Sequence, residues 1–159
     1  FSEPSPMNAC PLDNPYQETQ TSETNTQPTD RLAASECFVC GPDNPSGLKL
    51  SFELQDEYCV AAFTPDKYHC GYSGITHGGI IFSALDDVMA NWLYLRGDRA
   101  VTAKCNLRYK APLPTGTPTH LKSWCLKRKG RLAMMAADIR RCDTDEVIAE
   151  CDANFMITP

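Results

Sequence analysis

One stretch of this chain limits its possible folds more than any other. Ile80, Ile81, Ala84, Leu85, Val88, Met89, Trp92 and Leu93 recur at helical spacing, and Gly97-Asp98 ends the run. A helix apolar on nearly every side has to be enclosed. Asp86, Asp87 and Asn91 interrupt it, so it reads as a buried core helix and not as a membrane span, and no membrane partner is expected.

The rest of the pattern supplies strands. Leu48, Leu50, Phe52 and Leu54 alternate with polar residues, and a second strand runs from Tyr58 to Thr64, closed by Pro65-Asp66. Val101, Ala103, Cys105, Leu107 and Tyr109 form one face of a strand whose other face is Thr102, Lys104, Asn106, Arg108 and Lys110; Pro112 and Pro114 end it. Further strands are expected over His120–Arg128, Leu132–Cys142 and Val147–Ile157. Several connections are too short for crossovers, so the sheet should be mainly antiparallel. The expectation is an α+β fold, one antiparallel sheet wrapped around one long central helix. Its remaining edge and open face favour pairing with a second copy.

Residues 1–34 are rich in Ser, Thr, Pro, Asn, Gln and Glu and poor in apolar residues. Such a stretch buries too little surface to offset its ordering entropy, so it reads as a flexible low-complexity tail before a domain over residues 35–159. The tail lacks the arginines of a mitochondrial transit peptide, and no signal peptide is seen. The net charge of -5 argues against nucleic acid as the main partner. The nine cysteines lie scattered, several in alternating apolar stretches, where a reduced thiol behaves as a small hydrophobe. A cytoplasmic setting is therefore expected.

Chemistry is expected at the junction of loop and helix. Thr76 or His77 can cap the helix, while Gly78 and Gly79 let a substrate approach the backbone closely. Unpaired amides at a helix start carry partial positive charge and suit a carbonyl oxygen becoming an oxyanion. Asp86 lies seven residues beyond Gly79. At the helical rise that is roughly 10 Å, too far for both to act on one carbonyl group from one chain. If both act, they come from two chains.

At these residues the chain resembles a known family. His77-Gly78-Gly79 with Asp86 nine positions after the histidine resembles the signature of hotdog-fold acyl-CoA thioesterases of the phenylacetate-degradation type, relatives of 4-hydroxybenzoyl-CoA thioesterase. Cys37-Phe38-Val39-Cys40-Gly41-Pro42-Asp43-Asn44-Pro45 with Gly47-Leu48 resembles a subgroup of it, as do Val101-Thr102-Ala103 and Tyr109-Lys110-Ala111-Pro112. The likeness covers about Cys37 to Ile157.

The resemblance implies a hotdog fold and hydrolysis of an acyl-CoA to free acid and CoA. It implies that the Gly78 or Gly79 amide polarises the carbonyl. Asp86 of the partner chain would be nucleophile or general base, Thr102 would orient the water, and His77 would hold the loop or touch the thioester. It implies no metal or cofactor, and a homodimer or a tetramer made of dimers. Ser83 and Asp87 are expected to line the acyl pocket, and Arg108, Lys110, Arg128 and Lys129 are candidates for the CoA phosphates. Many relatives carry Gln, Glu or Asn where this chain has Cys70, and a thiol is a poor hydrogen-bonding group.

Plainer readings exist for each feature. The glycines could be simple turn residues, the carboxylates a helix surface, and the basic residues a solvated face. Cys37-x-x-Cys40 with His69 and Cys70 offers four possible zinc ligands, but adjacent ligands at 69 and 70 make poor geometry, so two buried thiols in a tight turn are expected instead. The rival function is a non-catalytic acyl-CoA-binding or zinc-stabilised module.

Overall fold

The computed structural model describes residues 34–159, so the expected tail over residues 1–34 lies outside the described residues except for Ala34. Six strands and one long helix follow: β1 (Glu53–Gln55), β2 (Tyr58–Phe63), α1 (Gly78–Tyr94), β3 (Ala100–Tyr109), β4 (Thr119–Lys129), β5 (Leu132–Arg141) and β6 (Val147–Ile157). The strands form one sheet in the order β1-β2-β4-β5-β6-β3, and every neighbouring pair is antiparallel. The α+β fold with one wrapped helix is thus the fold observed.

The helix is enclosed as its composition demands. Ile81, Ala84, Leu85, Val88, Met89 and Leu93 are buried on α1. They share one core with Phe63 of β2, Leu121 of β4, Met135 and Ile139 of β5, and Phe155 of β6. Burying each such aliphatic side chain contributes about 1.5–3 kcal/mol. Ser123, fully buried on β4, donates from Oγ to the Val88 carbonyl at 2.7 Å, which ties the middle of the helix to the sheet.

Two strand expectations are corrected. Of the alternating Leu48–Leu54 stretch only Glu53 and Leu54 join the sheet, as part of β1. Lys49 sits at φ 54, a left-handed conformation that interrupts an extended run. The Leu48 and Leu50 amides instead bond to the Phe38 and Val39 carbonyls, each at 2.8 Å. The alternation reflects packing, since Leu48, Leu50, Phe52 and Leu54 all lie against the core, and not sheet pairing.

The second correction concerns which side of β3 faces the helix. β3 is an edge strand, and its register against β6 shifts between Thr102 and Lys104. Residues directly opposite one another in a ladder share a face. Thr102 pairs with buried Phe155, Cys105 with buried Ala153 and Leu107 with buried Cys151. The extra residue, Ala103, therefore reverses parity, and Thr102 shares the helix-facing side with Cys105, Leu107 and Tyr109. Val101, grouped by the alternation with Cys105, Leu107 and Tyr109, lies on the opposite face from them and is 58 % exposed.

Candidate active site

The glycine loop is fastened before the helix begins. Gly71 donates to the Ile75 carbonyl at 2.9 Å, Thr76 N to the Leu113 carbonyl at 2.8 Å, and His77 N to the His69 carbonyl at 2.8 Å. His77 is the residue that caps α1. Its backbone is extended, and Nδ1 accepts from the Gly79 amide at 2.8 Å. Its carbonyl accepts from Ile80 at 3.0 Å and Ile81 at 3.2 Å. Three of the first four helix amides are thereby engaged by one residue. The Gly78 amide is the fourth, and the helix offers it no acceptor of its own.

Gly78 is held from the other side by β3. Tyr109 Oη donates to the Gly78 carbonyl at 2.6 Å. A Cβ on Gly78 would lie 2.9 Å from that hydroxyl oxygen and 3.1 Å from the ring carbon bearing it, so only glycine fits without displacement. Burial pushes the Tyr109 phenol upward, which keeps it protonated as a donor.

Asp86 meets Thr102 on the helix-facing side of β3. Thr102 Oγ1 donates to Asp86 Oδ1 at 2.6 Å. The threonine reaches the carboxylate because of the Ala103 bulge. Ser83 donates to the Gly79 carbonyl at 2.8 Å, one helical turn back.

Asp87 faces elsewhere. Its Oδ1 lies 3.9 Å from Cys37 Sγ, and its Oδ2 accepts from Asn91 Nδ2 at 3.1 Å. Burial raises its carboxyl above the usual carboxylate range, and neighbouring Asp86 pushes the same way; hydrogen bonds from Cys40 and Asn91 oppose this. Burial, with Asp87 beside it, also raises the Cys40 thiol. Asp87, Cys37 and Cys40 line a cavity of about 510 Å³ together with Leu50, Phe52 and Ala90.

The zinc set considered from the sequence is not assembled. His69 Nδ1 accepts from the Asp66 amide at 3.0 Å in a short 3-10 turn, and exposed Cys70 bridges to Thr76. Among the described residues, the group with metal-ligand geometry is Cys37, Cys40 and Asp87. Sequence spacing could not reveal it, because Asp87 is 50 positions from Cys37.

The basic candidates also divide. Lys110 Nζ stands 3.2 Å from Glu150 Oε1, and Arg128 forms a two-point pair with Asp98 at 2.7 and 3.2 Å. Arg108, opposite Glu150 on the outer face of β3, and Lys129 have no such pair among the described residues.

The likeness to known proteins falls on this region. The sequence profile of the thioesterase superfamily matches residues 73–148. A Xenopus laevis protein, acyl-coenzyme A thioesterase THEM4, is 34% identical over 108 residues, covering 67% of this chain and 48% of its own length. The chain spans about half the length of the curated relatives it matches. A solved thioesterase superfamily protein superposes with a TM-score of 0.69 at 28% identity, covering 74% of this chain and 61% of that one. The PaaI protein of E. coli, from the phenylacetic acid degradation operon, superposes with a TM-score of 0.66 at 18% identity over 70% of this chain and 81% of that one. That last likeness bears on the fold alone.

Proposed function

Because the chain belongs to the thioesterase superfamily and has its hotdog fold, we propose that it hydrolyses an acyl-CoA thioester to a free acid and CoA. The observation that carries the reading is the Thr102–Asp86 hydrogen bond on a helix whose first amide, at Gly78, is left without an intrahelical acceptor. A carboxylate beside a hydroxyl can position and deprotonate water, and a helix-start amide can stabilise an oxyanion.

In this reading the Gly78 amide binds the thioester oxygen. Gly79 shapes the approach and gives its own amide to the His77 cap, so His77 acts by holding the loop. Asp86 takes the proton of a water whose oxygen attacks the carbonyl carbon. The C–S bond then breaks, and the CoA sulfur leaves as a thiolate that regains a proton. In the variant step, the Asp86 carboxylate attacks directly and water hydrolyses the resulting anhydride. Thr102, with its proton given to Asp86, can accept a hydrogen bond from the water.

The seven-residue separation of Gly79 and Asp86 on one helix supports active sites shared between two chains. The edge of β3, which carries Thr102 and is unpaired among the described residues, supports a homodimer, or a tetramer of such dimers. Ser83 lies one helical turn from Gly79, to whose carbonyl it donates, and would border the acyl group. Arg108, without an ion-pair partner among the described residues, is the first candidate for a CoA phosphate, ahead of Lys110, which Glu150 holds.

A panel of acyl-CoAs assayed for released thiol, with a no-substrate control for the protein's own cysteines, tests the proposal. The wild type should release CoA, and Asp86→Asn should lose 100-fold or more of that rate with an unchanged circular dichroism spectrum. Acyl-CoA binding without turnover by the wild type would leave the binding-module reading. Full activity in Asp86→Asn would remove Asp86 from the chemistry.

A further inference from the structure

The Cys37–Cys40–Asp87 cluster has no task in the proposed hydrolysis, yet its geometry is built. One ligand atom from each of the three residues lies within 4.8 Å of the other two. The two thiols come from a loop that is knit to itself. Gly41 donates to the Cys37 carbonyl at 2.9 Å, Asp43 donates to the Ser35 carbonyl at 2.9 Å, and Asn44 Nδ2 donates to the Glu36 carbonyl at 3.1 Å. The turn is so tight that a Cβ on Gly41 would sit 2.3 Å from Cys37 N and 2.5 Å from Cys37 O. The sulfur pair is therefore set by the loop before it meets the helix. Asp87 is set independently, by α1 and by its bond from Asn91 Nδ2 at 3.1 Å.

Two sulfurs and a carboxylate oxygen are ligands for a borderline-soft dication. At about 2.3 Å for sulfur and about 2.0–2.2 Å for oxygen, a tetrahedral ion separates its ligand atoms by roughly 3.5–3.8 Å. Cys37 Sγ already stands 3.9 Å from Asp87 Oδ1, and a contraction of at most about 1 Å elsewhere would close the site, within the reach of side-chain rotation. The cluster lines the 510 Å³ cavity, which leaves a fourth position for water.

We propose that Cys37, Cys40 and Asp87 bind one thiophilic divalent cation of the zinc class, with a cavity water as fourth ligand. Binding releases two thiol protons to solvent and leaves the metal's oxidation state unchanged. The ion cross-links the Ser35–Leu50 loop to α1 at the residue after Asp86. Asn91 is the positioning residue that orients the ligating carboxylate. The proposal does not rest on the thioesterase reading.

The test is metal binding and thiol protection on the full chain, with no activity assay required. Stripped protein is reloaded with zinc chloride, desalted and analysed for metal, and its cysteines are alkylated with and without zinc and located by mass spectrometry. One zinc per chain is expected, with Cys37 and Cys40 protected from alkylation at least tenfold while exposed Cys70 and Cys105 stay reactive. Cobalt(II) should give the near-ultraviolet charge-transfer absorption of thiolate ligation. Asp87→Asn should weaken zinc binding tenfold or more without removing the thiolate band. Stoichiometry near zero, protection spread equally over Cys70 and Cys105, or Cys37 and Cys40 recovered as a disulfide would each overturn the proposal. Because protection is read on the wild type, a variant that fails to fold does not blunt the result.

Discussion

Thr102 Oγ1 donates to Asp86 Oδ1 at 2.6 Å, joining the edge strand β3 to the centre of α1. The bond fixes one carboxylate oxygen and leaves the other available to substrate or water. It also fixes the threonine's proton, so the hydroxyl can receive a hydrogen bond from water and need not compete for one. A hydrogen bond to a charged group is worth about 1.5–3 kcal/mol. Thr102→Val should therefore lower kcat about 10- to 100-fold with little change in KM, while Thr102→Ser should keep most of the rate. Steady-state kinetics of both variants check this. Equal losses in the two would mean that the β-branched shape of residue 102 matters and its hydroxyl does not.

Gly78 and Tyr109 should be energetically coupled. The tyrosine hydroxyl donates to the Gly78 carbonyl at 2.6 Å, and a Cβ at position 78 would meet that hydroxyl at 2.9 Å. Tyr109→Phe should cost about 1 kcal/mol, the ordinary net value of a hydrogen bond. Gly78→Ala should cost about 1–3 kcal/mol by overpacking, and less once the hydroxyl is gone. A double-mutant cycle in urea denaturation measures this, and strictly additive costs would show the contact to be incidental.

Ser123 is fully buried, and its hydroxyl satisfies the Val88 carbonyl at 2.7 Å. Ser123→Ala removes the donor at modest cost, about 1 kcal/mol. Ser123→Val adds bulk against a helix already in contact and should cost more, about 1–3 kcal/mol. The two urea midpoints should fall in that order, both below that of the wild type.

These relationships divide by how local their causes are. The helix was legible because Ile81, Leu85, Val88 and Met89 repeat with its own period, and that repeat survives burial. A cap just before the glycines was legible because it lies within one turn of them, with Thr76 and His77 left as alternatives; the structure puts His77 there. The face of Thr102 was not. A bulge adds one residue, and period-two alternation on either side of it reads as continuous while the facing has reversed. Leu48 to Leu54 alternated as a strand does, yet the positive φ of Lys49 leaves most of it out of the sheet. The meeting of Asp87 with Cys37 and Cys40 spans 50 positions, and no spacing rule reaches that far.

His120 should make stability depend on pH in a specific sense. It lies half-buried on β4, with Nε2 3.7 Å from Asp145 Oδ1 and Arg140 opposite it on β5. Burial lowers its pKa below the usual 6.5, aided by Arg140 and Lys122; Asp145 and Asp138 pull the other way and are outweighed. The unfolded chain therefore takes up the proton first as pH falls. The contribution of the neutral imidazole is fully present above the unfolded value, near 6.5, and is lost as pH falls through it toward the lowered folded value. His120→Gln does not titrate in this range. The stability of the wild type minus that of His120→Gln, measured in urea from about pH 8 to about pH 5, should decline as the pH is lowered. Subtracting the variant cancels the other titrating groups. If the difference grows on acidification, the pull of Asp145 and Asp138 exceeds the burial cost and the imidazolium is the favoured folded form.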